Sequence, residues 1–280
     1  MPKLFNETLG DSVEIPEEPI RIASLYPSIT ETLVELGISE RLAGVSAYCG
    51  PFVKGMKIPV VSSALSVNYK RLEGVKPDFI LTSTGIQRNL AIELHRKGYA
   101  VFPVLHPSTL YELLSNIFVI GELVGKQREA RELVKKLSRE LEACRVEKQY
   151  EERAKIYIEI WPEKYSTTAG GLTFIDDLIY AAGALNIFSE TPLTYFTPDF
   201  EEVAGANPDL IIFIFGNSKE LEKITISSLI ADRGWEKIKG VEKNKIVASL
   251  ENELPLPHSG PSFIKTIMLL TEKFRAFDVI

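Results

Sequence analysis

The hydrophobic pattern of this chain alternates between two textures. Short continuous apolar runs fall at Arg21–Leu25, Leu42–Ala47, Asp78–Ser83 and Tyr99–Leu105. Between them lie stretches with helical spacing, at Ser28–Leu36, Asn89–Lys97 and Thr109–Val124. Runs without polar alternation suit parallel strands covered on both faces. Strands separated by helical stretches predict βαβ units. The alternation resumes in the second half, with strands at Lys155–Ile160, Leu210–Phe215 and Lys245–Ser249 and helices at Phe174–Ala182, Lys219–Leu229 and Ser262–Phe274.

One segment breaks the rhythm. Lys126–Lys148 is nearly all strong helix formers, with Leu133, Val134, Leu137, Leu141 and Cys144 on one stripe and charges elsewhere. As a helix it spans roughly 35 Å. The pattern predicts an N-terminal α/β lobe over 1–124, a linking helix over 125–150 and a C-terminal α/β lobe over 151–280, with a stiff connector that limits lobe motion. The fold class is α/β, with two Rossmann-like lobes.

Composition narrows the function classes. The 280 residues are 45% hydrophobic and 25% charged, with a net charge of −6. That acidity and the absence of Lys/Arg runs argue against nucleic acid as a partner. Cys49 and Cys144 read as free thiols rather than a framework. No apolar run is long enough to span a membrane. The N-terminus lacks an apolar leader core. The expected location is therefore cytoplasmic if the chain is complete as written, or extracytoplasmic if a leader was removed.

The candidate chemistry collects at strand ends. Tyr26-Pro27 follows the first strand, and Ser28 with Glu31 has capping-box spacing for the next helix. Such strand-to-helix turns hold ligands in open α/β sheets. Tyr48 sits beyond the second strand. In the second half, Thr168-Ala169-Gly170-Gly171 has the form of an anion-binding turn, and Trp161, Tyr165 and Tyr195-Phe196 lie in loop-like stretches suited to a flat apolar ligand. Ordinary loop packing accounts equally for some of these aromatics. Of three histidines, His95 reads as solvated on a charged helix, while His106 and His258 follow a strand end and a Pro-rich loop. Two such histidines do not make a bare-zinc receptor. A Ser259/His258 hydrolase lacks a G-x-S-x-G context.

Several phrases together resemble one family. They are Val13-Glu14-Ile15-Pro16 with Pro19-Ile20-Arg21-Ile22, Ser24-Leu25-Tyr26-Pro27-Ser28-Ile29-Thr30-Glu31, Val45-Ser46-Ala47-Tyr48-Cys49 and Lys76-Pro77-Asp78-Phe79-Ile80. They continue with Thr168-Ala169-Gly170-Gly171, Phe174-Ile175-Asp176-Asp177-Leu178, Asn207-Pro208-Asp209 and Gly234-Trp235. In order and spacing the chain resembles the class III, helical-backbone substrate-binding proteins of ABC importers for iron-siderophores, haem and cobalamin, nearest the cobalamin-binding branch. The resemblance implies two lobes joined by one long helix and a ligand cleft between them, and the stiff helix predicts small closure on binding. It implies a non-enzymatic monomer with no cofactor of its own, which captures cobalamin, another corrinoid or a ferric chelate for a membrane permease and its ATPase. A ferric-siderophore or haem receptor is the alternative, as is a cytoplasmic metal- or corrinoid-handling protein on the same fold, possibly an enzyme. The implied ligand contacts are Tyr26, Pro27, Ser28, Tyr48, Trp161, Tyr165, Thr168, Ala169, Tyr195 and the loop Leu254, Pro255, Leu256, Pro257, His258. His258 or His106 is the implied axial ligand, with no other metal site. Docking glutamates are implied at Glu201 and, where the family position is occupied here by Lys70, at the nearby Glu73. The cobalamin-binding branch lines its cleft with several tryptophans, whereas this chain has two, Trp161 and Trp235.

Overall fold

A computed structural model describes residues 2–162, 164–216 and 225–280. The chain divides into two compact units. The first comprises Met1–Pro107, Tyr111–Ser138 and His258–Pro261, and the second Ser108–Leu110, Arg139–Pro257 and Ser262–Ile280.

The first unit is built on a five-stranded parallel sheet. Its strands are β3 (Ile22–Ser24), β4 (Leu42–Ser46), β5 (Val60–Ser62), β6 (Phe79–Ser83) and β7 (Val101–Val104), in spatial order β5-β4-β3-β6-β7. The chain thus winds outward from β3 to one edge, returns, and winds from β6 to the other. The switch point falls between β3 and β6, where doubly wound sheets form their crevice. All five residues of β6 are buried, including the polar Thr82 and Ser83 at its carboxyl end. Helices α1 (Pro27–Glu35), α2 (Tyr69–Val75), α3 (Arg88–Arg96) and α4 (Leu110–Leu123) follow the strands. Ala23, Leu25, Val61, Leu72, Ile80, Leu90, Leu94 and Val101 form a core cluster.

The second unit carries a four-stranded parallel sheet in the order β10-β8-β12-β13, from β8 (Lys155–Ile160), β10 (Leu185–Asn186), β12 (Leu210–Phe215) and β13 (Ile246–Leu250). Its switch point lies between β8 and β12. A small antiparallel pair, β9 (Thr168–Ala169) with β11 (Tyr195–Phe196), stands beside it. Described helices of this unit include α6 (Phe174–Ala181), α7 (Phe200–Ala206), α8 (Ile226–Arg233), α9 (Lys239–Glu242) and α10 (Phe263–Ala276). Trp235, fully buried, anchors the core with Tyr157, Phe213 and Phe215.

Between them in sequence runs α5, Gln127–Cys144, about 27 Å long. Ala130, Leu133, Val134, Leu137 and Leu141 are its buried stripe. The helix is shorter at both ends than the expected span, and the division between units falls inside it, after Ser138.

Several elements differ from expectation. The N-terminal hairpin of β1 (Lys3–Asn6) and β2 (Asp11–Glu14) is not signalled by an apolar run. Strand β5 and helix α2 are additions of the same kind. The expected strand Arg21–Leu25 contracts to three residues. The first part of the expected helix Lys219–Leu229 lies outside the described residues, and α8 begins at Ile226. Among the described residues, no helix is long and apolar enough to cross a membrane.

Candidate functional site

In the first unit, the carboxyl ends of the strands converge on one rim. Strand β3 runs into Tyr26, the extended N-cap of α1, and Pro27 occupies the first turn. The cap is not the expected capping box. Tyr26 makes no side-chain cap bond, and Ser28 and Glu31 lie inside the helix. Their side chains instead meet residues from far along the chain. Ser259 Oγ donates to Ser28 Oγ at 3.4 Å, and His258 Nε2 lies 2.7 Å from Glu31 Oε2.

This corrects the sequence reading of the His258 loop, which assigned it to the second lobe. His258–Pro261 belongs to the first unit. The His258 ring stacks on Phe52 at 4.7 Å between centroids and 16° between planes. Phe52 ends the 3-10 segment Ala47–Phe52 that follows β4. Within that segment, Cys49 Sγ is 3.0 Å from Thr30 Oγ1 and 3.1 Å from Ser46 Oγ. Burial pushes this thiol upward in pKa. His106 packs edge-on to Tyr26 at 6.4 Å, and its burial lowers the imidazole pKa. His95 is half-buried and paired with Asp11 at 2.9 Å, rather than free on the surface.

The crevice at the switch point is filled by the protein itself. Gln87, 1% exposed, donates to Leu25 O at 2.8 Å and Ala64 O at 3.0 Å, and accepts from Ser83 N at 3.2 Å. What remains open is the rim around it. Tyr48 beyond β4, Leu65 beyond β5, Ile86 beyond β6 and Leu105 beyond β7 are 61%, 64%, 65% and 55% exposed. Four strand-end loops thus each hold one large apolar side chain in water. Leu65, Ile86 and Leu105 escaped the sequence reading. The available signal was a lone apolar residue within Ser/Thr/Gly-rich turns, as in Ser63-Ala64-Leu65-Ser66 and Thr84-Gly85-Ile86.

In the second unit, Trp161 is at the switch point directly after β8. It is half-buried with φ of 52°, and its backbone N–H donates to Ile214 O at 2.7 Å. Tyr165, 54% exposed, meets its ring edge-on at 6.2 Å. The Thr168–Gly171 turn is not an open anion cradle. Thr168 Oγ1 donates to Ile158 O, Ala169 is buried, and the amides of Gly170 and Gly171 donate to Thr194 O and Thr191 O. A Cβ at Gly171 would collide with the Ser189 carbonyl, so this turn requires glycine by close packing. Tyr195 is half-buried on β11. Leu254 and Leu256 are fully buried, and Pro255 and Pro257 partly so. Glu73 on α2 and Glu201 on α7 are both exposed, as is Lys70. Among the described residues, no group of three or more His, Cys, Asp or Glu side chains is arranged to hold a metal ion.

The chain matches a family model described as periplasmic binding protein over residues 22–251. It belongs to the periplasmic binding protein family. It is 26% identical over 279 residues to an uncharacterised ABC transporter substrate-binding lipoprotein of Bacillus subtilis, covering 97% of this chain and 85% of that one. A cobalamin-binding protein of Halobacterium salinarum is 25% identical over 224 residues, which cover 79% of this chain and 60% of that protein. Among solved structures, one described as a possible iron-binding, periplasmic solute-binding protein from Staphylococcus epidermidis superposes with a TM-score of 0.74. It is 26% identical and covers 92% of this chain and 99% of its own. The chain is thus similar to proteins whose names give different ligands, cobalamin for one and iron for another.

Proposed function

We propose that this chain is the substrate-binding component of an ABC importer, which captures cobalamin or a related corrinoid and delivers it to a membrane permease and its ATPase. The observation that carries the ligand class is the apolar rim of the first unit. Tyr48, Leu65, Ile86 and Leu105 hold large apolar side chains in water at consecutive strand ends. These side chains stand at the carboxyl ends of parallel strands, where open α/β sheets take their ligands. The rim suits a broad ligand with an apolar face. Tyr26 and Pro27 in the first unit, and Trp161, Tyr165 and Tyr195 in the second, are assigned as further contacts. Thr168, Ala169, Leu254 and Leu256 are too buried to touch ligand through their side chains and serve as support for these loops.

The protein binds and releases its ligand without transforming it. Its lipoprotein relative in Bacillus subtilis supports an extracytoplasmic location. Exposed Glu201 and Glu73 are assigned to permease docking. A second reading, a ferric chelate or haem receptor, is favoured by one feature. Burial lowers the His106 imidazole pKa and so favours the neutral form, the one that ligates iron. His258 suits that role less, because its Nε2 is already engaged by Glu31. A thermal-shift panel of cyanocobalamin, haemin and a ferric hydroxamate separates the readings.

A further inference from the structure

The second unit buries an ion pair in the middle of its apolar core. Glu159, on β8, is fully buried two residues before Trp161. Its Oε1 lies 2.5 Å from Nη2 of Arg233, whose side chain is 4% exposed. Its Oε2 accepts from the Tyr157 hydroxyl at 2.9 Å. Arg233 ends α8, and its guanidinium lies over the rings of Phe200, Trp235 and Phe213, at 4.8, 5.1 and 5.6 Å from their centroids. A pair withdrawn this far from water contributes little net stability, because desolvation offsets the attraction. Apolar side chains of the same volume fill such a core equally well. The reason to keep two charges here lies in what else they touch.

The same Nη2 donates to Ser166 Oγ at 3.3 Å. Ser166 closes the turn that Trp161 opens. The backbone N–H groups of Lys164, Tyr165 and Ser166 all donate to Trp161 O, and Ile160 pairs with Thr167 below them. Trp161 and Ser166 both have left-handed backbones, with φ of 52° and 43°. That conformation is unfavourable for a bulky side chain, and Pro162 biases its predecessor toward extended geometry. Strain of this sort persists only where the surroundings over-determine it. Here they do so at both ends. Trp161 Nε1 donates to Glu251 Oε2 at 3.3 Å at the start of the turn, and Arg233 holds Ser166 at its close. The result is a fixed corner of two aromatic rings, Trp161 and Tyr165, with Lys164 Nζ 4.7 Å from the Tyr165 centroid.

We propose that Arg233 and Glu159 are positioning residues, whose buried pair pins Ser166 and so holds the left-handed backbones of Trp161 and Ser166 that present Trp161 and Tyr165 to a macrocyclic or aromatic ligand face. The ligand part rests on the binding function proposed above. Preorganising a binding loop in this way raises affinity by removing the cost of ordering it.

The test uses protein labelled with 5-fluorotryptophan. The chain has two tryptophans, so two fluorine resonances arise, and Trp161→Phe assigns them. Ser166→Ala removes the tether and leaves the ion pair intact. Glu159→Met with Arg233→Met removes the pair and refills its volume. Both variants are expected to melt within a few degrees of the parent while shifting or broadening the Trp161 resonance. Both are expected to weaken cyanocobalamin binding roughly tenfold or more. An unchanged Trp161 resonance in both variants, or cyanocobalamin affinity within about twofold of the parent, overturns the positioning role and leaves a packing role. If the parent itself does not bind cyanocobalamin, the ligand reading fails and the Trp161 resonance alone decides the positioning role.

Discussion

His258 Nε2 sits 2.7 Å from Glu31 Oε2, joining residues 227 apart in sequence across two side chains that are 12% and 10% exposed. The contact ties a short returning segment of chain to the first helix of the first unit. Gly260 fits beside it only because it has no side chain. A Cβ there would collide with both Glu31 Oε2 and His258 Nε2.

Gly260→Ala should therefore destabilise the protein by about 1–3 kcal/mol through overpacking. His258→Ala should cost a similar amount, roughly 1–3 kcal/mol, by leaving Glu31 without its buried partner. Both act on one tie, so the double variant should cost less than the sum in urea denaturation. Strict additivity would show that the two sites are independent.

The strand-end rim should be separable from stability. Leu65→Glu, Ile86→Glu and Leu105→Glu alter exposed side chains, so each should change unfolding free energy by no more than about 0.5 kcal/mol. Each should nonetheless weaken cyanocobalamin binding, measured by titration calorimetry. Gln87→Ala is the contrasting case. It strips hydrogen bonds from Leu25 O, Ala64 O and Ser83 N and should lower the melting temperature.

Much of the fold was legible because it is written in local pattern. Phe79–Leu81 and Leu210–Phe215 are unbroken apolar runs, and both lie in strands buried along their whole length. The stripe of Gln127–Cys144 marked the long helix. What failed was decided by distant partners or by backbone geometry. Ser28 and Glu31 match a capping box locally, yet residues 258 and 259 claim their side chains. Helix α2 buries only Leu72, too little to leave a periodic trace. The hairpin strands β1 and β2 each bury a single residue. Thr168-Ala169-Gly170-Gly171 has the composition of an anion turn, but residues 191–194 already occupy its amides. Leu65, Ile86 and Leu105 went unseen because a lone apolar residue in a polar turn carries no periodicity.

Acid should favour the second unit at one position. Asp176 lies in the first turn of α6, with Oδ1 buried and without a hydrogen-bond partner among the described residues. Burial pushes its carboxyl up to about 6; a hydrogen bond from Asn186 opposes this, and the charges of Asp177 and Glu190 add to it. The folded state thus holds a proton that the unfolded chain, at 3.8, gives up earlier as pH rises. The associated stability is fully present below 3.8 and is lost as pH rises through about 6. Asp176→Asn should raise the melting temperature relative to the parent at neutral pH and confer no advantage at or below pH 3.8. A gain that is equal at both pH values would contradict the assignment.

The two thiols should react in order. Cys49 is fully buried against Thr30 of α1, whereas Cys144 is half-buried at the end of α5. Burial raises both pKa values, so access decides the sequence. In the native protein iodoacetamide should label Cys144 first, with Cys49 modified only on unfolding, as read by peptide mass spectrometry. Labelling of Cys49 at the rate of Cys144 would show that the site against α1 opens.

The most direct test of the central claim is the melting temperature measured against increasing cyanocobalamin, with haemin and a ferric hydroxamate in parallel. A ligand that binds only the folded state adds about 2.7 kcal/mol at a hundredfold excess over Kd. The proposal predicts a concentration-dependent rise with cyanocobalamin, larger than with the other two, and a loss of that difference in Ile86→Glu. A rise with haemin or the ferric hydroxamate but none with cyanocobalamin would contradict the corrinoid assignment, and no rise with any of the three would contradict the proposed receptor function.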